Sequence, residues 1–156
     1  MNVPFVDLKI QYKKIKDEID YSIQEVINKT AFISGKYAEN FENNFSKMYG
    51  INHCISCANG TDAIYIALKA LGVGPNDEVI TVANTWISTA ETISQTGAEP
   101  VFVDIDPNTY NIDYEKIESK ITNKTKAIIP VHLFGHAVNM KEVKRICDRY
   151  NLVLIE

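Results

Sequence analysis

Ile128-Ile129-Pro130-Val131 is apolar at every position, and that short run decides how the rest of the chain is read. A strand with one wet face alternates apolar and polar residues; one covered by helices on both faces does not. Working outward, similar short runs recur at His53 to Ala58, Glu78 to Ala83, Pro100 to Asp104, Lys126 to Val131 and Asn151 to Ile155. Helical patterns alternate with them, over about Gly60 to Leu71, Thr85 to Gly97, Asp113 to Ile121 and Asn139 to Tyr150. Turn chemistry joins them, as in Gly72-Val73-Gly74-Pro75-Asn76-Asp77 and Asp106-Pro107-Asn108. The pattern predicts an α/β fold, a mainly parallel sheet with right-handed crossovers.

Ahead of this region the rhythm is purely helical. Leu8, Tyr12, Ile15, Ile19, Ile23 and Val26 recur at steps of three and four, one apolar stripe. A second stripe of Tyr37, Phe41, Phe45 and Met48 has Ser34 as its expected N-cap and Gly50 as its left-handed stop. Residues 1–52 therefore read as an N-terminal helical segment and 53–156 as the α/β domain. The chain reaches Asn151-Leu152-Val153-Leu154-Ile155-Glu156 at the end of a strand, where a ligand-bearing loop and a helix are expected to follow. It reads as the front part of a longer protein.

Of 156 residues 46% are apolar and 23% charged, which excludes disordered and fibrous classes. Sixteen basic against twenty acidic residues give −4, and no basic run exceeds Lys13-Lys14, so nucleic acid is not an expected partner. No apolar stretch reaches the ~20 residues of a membrane span, and Met1-Asn2-Val3-Pro4 does not resemble a signal peptide. A cytoplasmic location is expected. Cys54 and Cys57 have the spacing of half a zinc site, but no second pair stands at finger spacing, and both are expected as buried strand thiols. His132 and His136 flank Leu133-Phe134-Gly135 in loop context without a zincin glutamate, so no metal is expected.

Neither of the two commonest nucleotide-phosphate loops is present. The first expected strand instead runs into Ala58-Asn59-Gly60-Thr61-Asp62-Ala63. Gly60 lets an anion approach the backbone, and the N–H groups of Gly60, Thr61 and Asp62 open a new helix with its positive dipole end behind them. Two readings stand for this segment: a phosphate cradle, or an ordinary cap by Asn59 or Thr61. Trp86, the only Trp, lies in Asn84-Thr85-Trp86-Ile87-Ser88 beyond the next strand, either as core filler or as a ring that stacks on a planar heterocycle. His132, beyond the strand ending at Val131, is a candidate facing substrate.

Phe32-Ile33-Ser34-Gly35 before a helix with Phe41, then Ala58 to Ala63, Gly74-Pro75-Asn76-Asp77-Glu78-Val79-Ile80, Thr85-Trp86 and Pro130-Val131-His132-Leu133-Phe134-Gly135 together resemble the DegT/DnrJ/EryC1/StrS aminotransferases, in order and in register from about Val3 to Glu156. The resemblance implies the large domain of a fold type I transferase, truncated, with 53–156 a partial pyridoxal-phosphate-binding α/β domain. It implies transfer of an amino group, usually from glutamate, to a keto group of a nucleotide-linked sugar by a homodimer using pyridoxal 5'-phosphate. Gly60 and Thr61 match the family's phosphate turn and Trp86 its ring-stacking aromatic; Ser34 and His132 fall on the substrate side. The acid that pairs with the pyridine nitrogen and the Schiff-base lysine are both expected beyond Glu156, so residues 1–156 alone are expected to be inactive. Alternatives are a sugar dehydratase of the same fold with His in place of that lysine, a non-catalytic relative that binds sugar nucleotide, and an unrelated nucleotide-binding domain.

Overall fold

A computed structural model describes residues 4–156. The described chain divides into two compact units, with the boundary in sequence between Ser56 and Cys57.

The first unit is an α-helical pair. α1 (Leu8–Lys29) starts where the Asp7 carboxylate accepts the Ile10 N–H at 3.0 Å. α2 (Lys36–Tyr49) ends at Gly50, whose φ of 64° is the left-handed stop that glycine adopts without a Cβ clash. Ser34 is not the N-cap of α2: Gly35 occupies that position, and Ser34 precedes it in a left-handed conformation with φ 43°. Glu25 ties the helices by accepting from Lys29, Lys36 and the Tyr37 hydroxyl. Phe41, Phe45 and Tyr49 stack in sequence along α2, with ring centroids 5.6 and 4.6 Å apart. The expected stripe of α1 exists, yet Leu8, Tyr12, Ile15 and Ile23 are exposed and neither helix buries a residue.

The second unit is α/β. α3 (Gly60–Ala70) precedes β1 (Glu78–Val82); then follow α4 (Ser88–Gln95), β2 (Glu99–Val103), α5 (Tyr114–Ile117) continued by a 3-10 turn over Glu118–Lys120, β3 (Thr125–Ile128), α6 (Met140–Tyr150) and β4 (Val153–Leu154). The four strands are all parallel, in the order β2-β1-β3-β4, with Ile80 paired to both Val101 and Ile128. Alternation along β1 and β3 splits the core between the two faces. Val79, Ala127 and Ile129 pack with Leu68 of α3 and Ile93 of α4, while Ile80, Val82 and Ile128 pack with Ile117, Val143, Ile146 and Cys147 of α5 and α6. Every one of these is nearly solvent-free, which is why their strands run apolar.

One expected strand is missing. His53 to Ala58 lies beside no strand of the sheet, and the Ser56 N–H and hydroxyl go to the Glu42 carboxylate at 2.8 and 2.7 Å. An apolar run without a ladder partner stays irregular. Cys54 is consequently half-buried and Cys57 exposed, in place of the expected buried pair; Cys147 is the buried thiol. α4 begins three residues later than its pattern suggests, because the Thr85 N–H bonds to Ala83 O at 3.0 Å and makes a tight turn first.

Candidate cofactor site at the carboxyl ends of the strands

β1 sits between β2 and β3, so the chain winds away from it in both directions, and helices from the two sides cover opposite faces. Ligands of open α/β sheets bind at such a reversal, beyond the carboxyl ends of the strands. Asn84 to Trp86 leave β1 there, and His132 and Glu156 follow the ends of β3 and β4.

The start of α3 is capped by Asn59 and leaves two backbone donors without a protein partner among the described residues. Asn59, in extended conformation, accepts the Asp62 N–H on Oδ1 at 2.9 Å, and Asn59 O accepts the Ala63 N–H at 3.0 Å. Asp62 is therefore removed from the expected trio of free donors. The Gly60 and Thr61 N–H groups donate to no protein acceptor among the described residues, and they point out of the positive end of an eleven-residue helix. A Cβ placed on Gly60 would meet no atom within 4 Å, so the flank of the backbone where a side chain would stand is open. The Thr61 hydroxyl lies 2.8 Å from the Ser88 hydroxyl, which ties the start of α3 to the start of α4. Ser88 had no signal in the sequence apart from its place two residues after Trp86.

Trp86 is 78% exposed, which removes the core-filler reading. It stands in the turn before α4, where the Thr89 N–H bonds to its carbonyl at 3.2 Å. The turn thus holds an open indole two residues from the hydroxyl that meets Thr61.

His132 accepts the Val138 N–H on Nδ1 at 3.0 Å, so its proton resides on Nε2, which lies 3.1 Å from the Glu156 carboxylate. The ring is held at both nitrogens. His136 is a loop residue, as is Asp106, whose carboxylate accepts the Asn108 and Thr109 N–H groups and is thereby held below the usual carboxylate range. Asp104 is an exposed partner of Lys116 at 3.7 Å. Ser34 lines a cavity of about 220 Å³ within the helical unit together with Glu25, Phe32 and Tyr37. Among the described residues no three His, Cys, Asp or Glu side chains converge as a metal site requires, and no helix is long and apolar enough to cross a membrane.

The DegT/DnrJ/EryC1/StrS aminotransferase family profile matches residues 13–156. The chain is 50% identical over its whole length to the pleiotropic regulatory protein of Geobacillus stearothermophilus, covering 42% of that protein. Over 99% of its length it is 47% identical to the UDP-2-acetamido-2-deoxy-3-oxo-D-glucuronate aminotransferase of Pseudomonas aeruginosa, covering 43% of it. The crystal structure of NtdA from Bacillus subtilis with bound cofactor PMP superposes with a TM-score of 0.94 at 40% identity, over 99% of this chain and 36% of that one. The chain spans about two fifths of the length of the curated relatives it matches.

Proposed function

This chain belongs to the DegT/DnrJ/EryC1/StrS aminotransferase family, and from that premise we propose that the protein carrying it is a pyridoxal-phosphate-dependent aminotransferase acting on the keto group of a nucleotide-linked sugar. The observation that carries the reading is the pair of undonated N–H groups at Gly60 and Thr61, beside the open flank of Gly60 and joined through Thr61 and Ser88 to the turn that presents Trp86. The residues fit the cofactor: two N–H donors and a helix dipole suit a phosphate, and an exposed indole suits a flat heterocycle. The relative with bound PMP supports the same assignment.

When bound, pyridoxal phosphate supplies an aldehyde that carries the amino group between donor and acceptor, and a ring that takes up electron density. The protein's part is positional. Gly60 and Thr61 would hold the phosphate, the Thr61–Ser88 hydroxyl pair ties the start of α3 to α4, and the Trp86 ring would stack on the heterocycle. His132 would offer an imidazole of fixed tautomer to the substrate, and Ser34 of the helical unit is a separate candidate for substrate contact. The lysine and the ring-nitrogen acid are assigned to the remainder of the protein's length. Glutamate as donor, a homodimer and a cytoplasmic location complete the proposal, and residues 53–156 are its partial cofactor-binding domain.

The relation to a pleiotropic regulatory protein at 50% identity favours a second reading, a sugar-nucleotide-binding protein without turnover. One assay separates them: the full-length protein, loaded with pyridoxal phosphate, is given glutamate and UDP- or dTDP-linked 3-keto sugars. The proposal expects an amino sugar nucleotide and 2-oxoglutarate in equal amounts. Binding of the nucleotide sugar without either product would support the second reading.

A further inference from the structure

The loop that leaves β3 is closed by hydrogen bonds. Phe134 in this loop is 100% exposed and has φ 52°, a left-handed conformation that costs a side-chain-bearing residue energy unless its surroundings enforce it. Internal bonds provide part of the enforcement: Gly135 N–H to His132 O at 3.0 Å, His136 N–H to Leu133 O at 2.9 Å, and Val138 N–H to His132 Nδ1 at 3.0 Å. The rest comes from Asn111, which is 5% exposed and lies between β2 and α5. Its Nδ2 donates to His136 O at 3.0 Å and Ala137 O at 3.2 Å, and its Oδ1 accepts the Leu133 N–H at 3.3 Å. The opposite amide orientation would set an oxygen against two carbonyls, so this arrangement alone satisfies all three loop groups. Asn111 is itself anchored, since its carbonyl accepts the Asp106 N–H at 2.9 Å and the adjacent Ile112 bridges to Ile105.

We infer that Asn111 is a positioning residue: by gripping Leu133 at one end of the loop and His136 and Ala137 at the other, it sets the tautomer and orientation of the His132 imidazole at the carboxyl end of β3. The loop returns just far enough for the Val138 N–H to reach Nδ1, which leaves Nε2–H aimed at Glu156. Only the statement that His132 faces substrate rests on the proposed activity; the coupling of Asn111 to His132 does not.

The test is nitrogen-15 NMR of the histidine rings in the full-length protein, with the His132 signal assigned by its loss in His132→Gln, together with amide exchange of Leu133 and Val138. The wild type is expected to show His132 protonated on Nε2 and accepting on Nδ1. Asn111→Asp keeps the shape and the acceptor for Leu133 but loses both donors. It is expected to mix the two tautomers and to speed exchange at Val138 about tenfold, while Ile129, bonded to Ile80 O, exchanges as before. A folded Asn111→Asp or Asn111→Ala protein with the wild-type tautomer and unchanged Val138 exchange would overturn the inference. A wild-type His132 protonated on Nδ1 would overturn it without any variant.

Discussion

Replacing Gly60 with Val separates binding from folding at the proposed phosphate cradle. Position 60 is the first residue of α3, its φ lies outside the left-handed region, and a Cβ there meets no protein atom within 4 Å. The backbone needs no left-handed conformation there and the Cβ itself meets nothing, and the helix-propensity difference between Gly and Val is under ~0.5 kcal/mol. The thermal midpoint should accordingly move by no more than a few degrees. A valine side chain at position 60 would stand beside the Gly60 and Thr61 donors and crowd a phosphate held by them. A hydrogen bond to a charged group contributes about 1.5–3 kcal/mol, so displacement of one of the two predicts affinity weaker by roughly 10- to 150-fold. The probe is pyridoxamine phosphate, whose amine forms no covalent link to a lysine, titrated into the full-length apoprotein by calorimetry. Pyridoxamine without phosphate serves as the control and should bind wild type and variant equally weakly. A folded Gly60→Val protein that binds pyridoxamine phosphate as the wild type does would refute the assignment of the cradle.

Other expectations concern separate parts of the molecule. Trp86→Ala removes an aromatic contact worth about 0.5–1.5 kcal/mol beyond area burial, so pyridoxamine phosphate should bind about 2- to 13-fold more weakly. Its binding should also quench an emission component present in the wild type and absent from Trp86→Phe; unquenched emission would place the ring elsewhere. The Glu25 carboxyl, accepting from Lys29, Lys36 and Tyr37, is held down at about 2 against an ordinary value of 4.5. Its contribution to the helical unit is therefore complete above pH 4.5 and is lost as pH falls through about 2; an NMR titration of Glu25 with a midpoint near 4.5 would contradict the ion-pair geometry. Burial pushes the Cys147 thiol up to about 11, so at pH 8 it should resist thiol reagents in the folded protein and react only on unfolding. Rapid modification of Cys147 in the native protein would place it outside the core.

What was legible in the sequence follows the range of the interactions that create it. The run through Ile128 and Ile129 was readable because its residues face different helix layers and both layers are dry. Gly50 was readable because a left-handed stop is a local requirement. The segment from His53 to Ala58 misled because apolar composition extends a chain but does not supply a neighbouring strand, and Cys54 and Cys57 were misplaced with it. Ser34 had the chemistry of a cap, but the turn before α2 put Gly35 there. At the site, Gly60, Thr61 and Trp86 stood out because a helix start and a lone indole are local features. The partners that complete the arrangement were silent: Ser88 meets Thr61 across 27 positions, and Asn111 meets Leu133, His136 and Ala137 across 22 to 26. Contacts between separate loops leave no periodic trace in either one.

The central claim, that these residues form the phosphate and ring-binding part of an aminotransferase site, is tested most directly by the visible absorption of the full-length protein. The protein is incubated with pyridoxal phosphate, freed of excess cofactor by gel filtration and then given glutamate. Retained cofactor is expected, its visible absorption fading as 2-oxoglutarate is released in equal amount, with less cofactor retained in Gly60→Val. A wild-type protein that emerges from the column without cofactor, or one whose bound cofactor survives Gly60→Val undiminished, would contradict it.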